Sequence, residues 1–182
     1  INAIASGLSS TNLWMLNSDL TIKRVNVNSA GGITTDNYAV INNVVKVYAR
    51  NSPNSSRGVF VVKKTDNKIY IYITSNNTTI TYTHPTQYSC SYGFNCIGSQ
   101  NYILMQLFNS NFSISANYLI NISNSDNDAI TSVKSISLNS NYIVISINEI
   151  VSGYLLITYL DTILHKIYSF VFDINNNLAI KN

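Results

Sequence analysis

Two stretches, "GVFVVKKTDNKIYIYI" at residues 58–73 and "GYLLITYLDTILHKIYSFVF" at 153–172, share one plan. Each runs from an apolar segment through a short break into a second apolar segment. In "KIYIYITS", Ile69, Ile71 and Ile73 fall on one face and Tyr70 and Tyr72 on the other. A period of two belongs to a β-strand, whose successive side chains point to opposite sides. Both stretches therefore read as strand, tight turn, strand, and as two copies of a blade-like hairpin.

The same pattern continues outward. "LTIKRVNV", "YAVINNVVKVYAR", "TTITYTH", "YILMQLF", "FSISANYLINIS", "AITSVKSISL" and "YIVISINEI" alternate or run β-branched. They are separated by "NSD", "SAGG", "SPNSS", "SNN", "NSN", "SNSDND" and "INNN", all of which carry turn chemistry. No segment repeats its apolar residues with the period of a helix. About a dozen short strands with polar turns predict an all-β antiparallel β-sandwich, immunoglobulin-like or pilin-like. The alternative is a small β-propeller-like fold, which repeats four strands every 40 or so residues. With only Pro53, Pro85 and seven Gly, no linker divides the chain. Residues 13–182 are expected to form a single β-domain, and the uncharged "INAIASGLSSTN" of residues 1–12 an extended N-terminal arm.

Charged residues make up 10% of the chain, against roughly 25% in ordinary soluble proteins. Their places are taken by 28 Asn, 24 Ser and 14 Thr, and Glu149 is the only glutamate. So few carboxylates leave few native ion pairs for acid to remove, which predicts acid tolerance. The net charge of +3 is scattered, with Lys23-Arg24 and Lys63-Lys64 the densest spots, so a phosphate-neutralising stripe is missing and nucleic acid is not an expected partner. The richest apolar region, residues 142–160, is interrupted by Asn148, Glu149, Ser152 and Gly153, which argues against a membrane span. The start at Ile1, without Met or a signal-like leader, is expected of a secreted chain after processing.

Cys90 and Cys96 enclose "SYGFN", where Gly93 and Asn95 can supply a turn. A disulfide fits the even count and an oxidising compartment; two buried thiols are the alternative. Zinc shared with His84 and His165 is disfavoured, since paired zinc cysteines usually stand two to four residues apart. Sequons mark Asn54, Asn76, Asn77, Asn111 and Asn121 as acceptors for N-glycans.

No constellation points to catalysis. The seven Asp lie mostly in turns, no nucleophile elbow or phosphate-binding glycine loop occurs, and Asp126-Asn127-Asp128 lacks the Gly and closing Glu of a calcium loop. The chain is expected not to be an enzyme and to need no cofactor or metal. The 13 tyrosines are the feature that could bind something, with Tyr70, Tyr72 and Tyr82 a patch if their strands align.

The charge-poor, Asn-, Ser-, Thr- and Tyr-rich composition, the start at Ile1, the sequons, the cysteine pair and the all-β pattern together resemble the secreted subunits of archaeal thread filaments. That resemblance implies an extracellular, cell-surface structural subunit that polymerises with identical subunits by inserting its N-terminal strand into the neighbour's sheet. Carried onto this chain, residues 1–12 are the donor, with Ile1, Ile4 and Leu8 as its buried side chains. The alternative function is a monomeric cell-surface recognition domain that binds glycans through tyrosines.

Overall fold

The computed structural model describes residues 3–6, 12–16, 22–37, 41–51, 58–75, 79–122 and 132–180. They form four antiparallel sheets, in each of which consecutive strands lie side by side in chain order. The first sheet holds β1 (Ala3–Ser6), β2 (Asn12–Leu16), β3 (Ile22–Val27) and β4 (Ile33–Asn37). The second holds β5 (Val44–Asn51), β6 (Gly58–Lys64), β7 (Lys68–Ser75) and β8 (Thr79–Thr83), with the short β9 (Tyr88–Ser89) also on β7. The third is β10 (Gly93–Gly98), β11 (Tyr102–Phe108), β12 (Ile114–Asn121) and β13 (Ser132–Ser135), and the fourth is β14 (Tyr142–Val151), β15 (Tyr154–Asp161), β16 (Lys166–Asp173) and β17 (Leu178–Ile180).

The all-β reading is correct, but the strands do not distribute themselves between two sheets as in an immunoglobulin-like sandwich. Short Asn-, Asp- and Gly-containing turns return each strand directly beside its predecessor, and the result is a series of four-strand meanders. The chain also divides into two compact units, the first two sheets in one and the last two in the other, where a single body over 13–182 was expected.

The arm at 1–12 differs as well. Its described part, β1, pairs with β2 of the same chain from Ala3↔Leu16 to Ser6↔Leu13, so a boundary at residue 12 falls inside a hairpin. Closing a short local loop costs little entropy, so β1 finds its partner nearby. Ile4 stands opposite Met15; Ile1 and Leu8 lie outside the described residues.

Asn and Asp are abundant because the turns use them. Asn28 Oδ1 accepts from Ala30 N and Gly32 N at 3.0 and 2.7 Å. Asp161 Oδ1 accepts from Ile163 N and Leu164 N, and Asp173 Oδ1 from Asn175 N and Asn176 N. A short side-chain acceptor in this position substitutes for a missing backbone partner. Left-handed backbone closes the hairpins at Gly31, Asn67, Phe112, Gly153, His165 and Asn177. At Gly153 (φ 87°) a Cβ would also stand 2.8 Å from Asn175 Nδ2.

The third and fourth sheets share a core of Leu104, Leu119, Ile136, Val144, Ile147, Leu155, Ile157 and Phe172, all buried. Burying each such side chain contributes about 1.5–3 kcal/mol. A row of amides crosses this apolar interior. Asn95, Gln106 and Asn117 face one another on β10, β11 and β12, and fully buried Gln106 grips β14. Its Nε2 donates to Tyr142 O and Asn117 Oδ1, both at 2.9 Å, while its Oε1 accepts from Val144 N at 2.8 Å. Asn95 Nδ2 adds a bond to Val144 O at 3.0 Å. A side chain thus does for β14 what a neighbouring strand would do, and it fixes the backbone of Tyr142.

The expected Cys90–Cys96 bridge is not formed, and both residues are buried as thiols. Cys90 Sγ donates to Gly93 O at 2.8 Å. The "SYGFN" segment does not close a turn between the cysteines, because β10 begins at Gly93. Extended backbone advances about 3.3 Å per residue, carrying Cys96 away from the Gly93 carbonyl, whereas a disulfide requires Cα atoms within about 7 Å.

Candidate functional site: an aromatic groove on the fourth sheet

The site is built from pairing register. On β14, β15 and β16, Val144, Tyr159 and Tyr168 stand opposite one another. Tyr142 and Phe170 lie two residues along on the same face, because side chains alternate. Three strands therefore bring four aromatic rings together. Tyr142 and Tyr159 stack with centroids 4.0 Å apart, Phe170 meets Tyr159 edge-on at 5.5 Å, and Tyr168 lies 5.8 Å from it.

Exposure is graded along this face. Phe172 is fully buried, Phe170 half-buried, and Tyr168 is 38% exposed. The same face is thus core at one end and open at the other. Two concavities flank the Tyr159 ring. One, of about 110 Å³, is bounded by Ser137, Leu138 and Asn139 together with Tyr142, Tyr159 and Phe170. The other, of about 330 Å³, includes Tyr142, Tyr159, Tyr168, Ser169, Phe170 and Ile180, and its size lies at the lower end of small-ligand sites. Neither lining contains a charged side chain.

Burial, reinforced by a hydrogen bond to Tyr142, pushes the Tyr159 hydroxyl up to about 12. The ring is therefore a neutral phenol at physiological pH, with the negative face of a neutral π-system.

The tyrosines singled out in sequence are arranged otherwise. Tyr70 and Tyr72 do stack on β7, at 6.3 Å and 18°. Lys64 Nζ lies over both rings, 4.7 Å from Tyr70 and 5.6 Å from Tyr72. Asp66 Oδ2 accepts the Tyr70 hydroxyl at 2.6 Å, and that bond is the main reason Tyr70 is pushed up to about 12 while Asp66 is held below the usual carboxylate range. The pair is covered by its own chain. Tyr82 stands opposite Ile73 in the register. A third aromatic pair, Tyr92 with Phe112 at 4.3 Å, is exposed.

Among the acceptor asparagines, Asn111 is exposed in the β11–β12 turn, with its Oδ1 accepting from Ser113 N and Ser113 Oγ at 3.2 and 2.9 Å. Asn121 ends β12 and is half-buried. Asn54, Asn76, Asn77, Asp126 and Asp128 lie outside the described residues. Among the described residues no three His, Cys, Asp or Glu gather in a metal-holding group, and no helix is long and apolar enough to cross a membrane.

Sequence reasoning missed Tyr142, Tyr159, Tyr168 and Phe170. The signal was present in the second of the two echoing hairpins, where "TYLDTILHKIYSF" places Tyr159 and Tyr168 at equal distances from the centre of the turn.

No protein-family profile and no curated protein matches the chain. Among solved structures it is similar to the WD40 domain of SCAP from fission yeast, with a TM-score of 0.51 and 14% identity over 99% of this chain. The match spans 41% of that structure's chain. At this identity the likeness concerns the fold alone.

Proposed function

We propose that the chain is a recognition module built from propeller-type blades, which holds a ligand or partner in the aromatic groove of its fourth sheet. Support for blades comes from the meander plan and its spacing. The four sheets begin at Ala3, Val44, Gly93 and Tyr142, every 41 to 49 residues, and blade repeats run at about 40 to 50. The WD40 likeness points the same way.

The observation that carries the functional reading is the groove: four rings on rigid strands, open at one end and lined without carboxylate, imidazole, thiol or amine. Such a surface suits stacking and packing. Secretion and N-glycosylation, with Asn111 as an exposed acceptor, belong to the same proposal. Polymerisation by a donated N-terminal strand has a weaker basis, because β1 already pairs with β2.

Tyr168→Ala tests the groove. Tyr168 is exposed enough to be removed without opening the core, so the variant should melt as the parent does and lose saturable ligand binding. Unchanged binding would reject the groove as the site. Electron microscopy of the purified protein should show dispersed particles, and fibres would restore the strand-donation reading.

A further inference from the structure

We propose that the groove of the fourth sheet receives the protonated side chain of a lysine from a partner polypeptide. This rests on the groove being a recognition site and adds the chemistry of what it recognises. The argument comes from the second sheet, in which the same local architecture already holds a lysine.

The strands of the hairpins β6–β7 and β15–β16 correspond, while the turn between β15 and β16 is one residue longer. Thr65 N donates to Asn43 O at 2.9 Å, and Thr162 N donates to Asn141 O at 3.0 Å. Each turn ends in a left-handed residue, Asn67 at φ 61° and His165 at φ 52°. Lys-Ile-Tyr follows in both, so Tyr70 corresponds to Tyr168 and Tyr72 to Phe170. Across the hairpin, Val62 faces Tyr70 as Tyr159 faces Tyr168. The last residue of the preceding strand is Lys64 in one copy and Asp161 in the other, and these stand opposite Val44 and Tyr142.

In the second sheet Lys64 reaches back over both rings. Here the chain itself demonstrates which chemistry this ring pair takes. In the fourth sheet the corresponding Asp161 turns its carboxylate into the hairpin, accepting from Ile163 N and Leu164 N at 2.9 and 3.0 Å. No cation of the described residues lies over Tyr168 or Phe170. Replacement of two valines by Tyr142 and Tyr159 adds two rings. Neutral aromatic faces favour a cation, and more so as water is excluded. A lysine side chain adds an apolar stem that packs along such rings while its head carries the charge.

The experiment titrates the full chain with acetyl-Gly-Lys-Gly-amide and with the same peptide carrying norleucine, following aromatic resonances by NMR. The expected result is saturable movement of the Tyr168 and Phe170 signals, with the lysine peptide binding about fivefold or more tighter than norleucine and Tyr168→Ala abolishing the difference. Equal binding of both peptides overturns the cation inference and leaves a recognition groove standing. Movement by neutral oligosaccharides alone has the same meaning. Choline binding as tightly as the peptide overturns the polypeptide clause. If none of these ligands moves the groove resonances, the recognition reading falls too. Lys181 follows Ile180 and lies outside the described residues. Binding that emerges only in Lys181→Ala would make the occupant the chain's own lysine and overturn the proposal.

Discussion

The aromatic faces of the second and fourth sheets are built on the same hairpin, yet one is covered by its own lysine and the other is open. Three positions account for most of the difference. Val44, Val62 and Lys64 in the second sheet correspond to Tyr142, Tyr159 and Asp161 in the fourth. In one, a lysine stem lies over two rings and completes the sheet's surface; in the other, two more rings line a cavity of about 330 Å³. The comparison teaches that a tyrosine pair on a strand does not mark a binding surface by itself. What matters is whether a neighbouring side chain already satisfies its faces.

The largest expected effect comes from removing what holds Tyr142 in place. Gln106→Leu leaves Tyr142 O, Val144 N and Asn117 Oδ1 without their partner in a buried setting, at about 1–3 kcal/mol for each unsatisfied group before relaxation. A loss of about 3 kcal/mol in denaturant unfolding, together with loss of groove binding, is expected. A loss under about 1 kcal/mol would mean that the amide row contributes little.

Asp161→Lys makes the fourth sheet imitate the second. Removing the acceptor for two turn N–H groups should destabilise by about 1 kcal/mol, while the new lysine covers the rings and blocks ligand. If binding persists in this variant, the two hairpins are not equivalent in the way described. The reciprocal change, Lys64→Met, keeps the stem and removes the charge. It should cost about 0.5–1 kcal/mol, the range for exposed cation–π contacts, as read from a shift in the urea midpoint; no change would remove Lys64 as the model for the external ligand.

The smallest effect separates two causes of one value. Tyr70 and Tyr159 are both pushed up to about 12, the first chiefly by Asp66 and the second chiefly by burial. Because their folded values exceed the ordinary 10, the stability they contribute is fully present below pH 10 and disappears as pH rises through about 12. Ultraviolet titration should find one late-ionising tyrosine fewer in Asp66→Asn than in the parent. An unchanged number in that variant would show that the hydrogen bond is not the cause. On the acid side, Asp66 and Asp173 are held below the usual carboxylate range by hydrogen bonds. Their contribution is present above the ordinary Asp value of ~3.9 and is lost as pH falls below it, so stability should stay flat down to about pH 4.

The strand character of the chain was legible because period-two alternation and Asn, Asp and Gly breaks are local signals. The echo between residues 58–73 and 153–172 was legible for the same reason, and those segments are the second and third strands of their sheets. Partition into four sheets was not legible, because pairing of neighbours does not reveal where one meander stops and the next begins. The arm misled because mild apolar alternation fits a donated strand and an ordinary β1 equally well. The cysteines misled because "SYGFN" contains turn residues, while the pairing of β10 with β11 draws Gly93 and everything after it into a strand. As for the groove, Tyr168 could be placed on a strand from sequence, but its exposure depends on Asp161 turning inward where Lys64 turns outward. That is a property of the three-dimensional hairpin.

Aromatic NMR of the full chain titrated with the lysine peptide tests the central contrast most directly. The account predicts that Tyr168 and Phe170 move and saturate while Tyr70 and Tyr72, beneath Lys64, stay where they are. Movement of Tyr70 and Tyr72 with the fourth-sheet rings unchanged would contradict it.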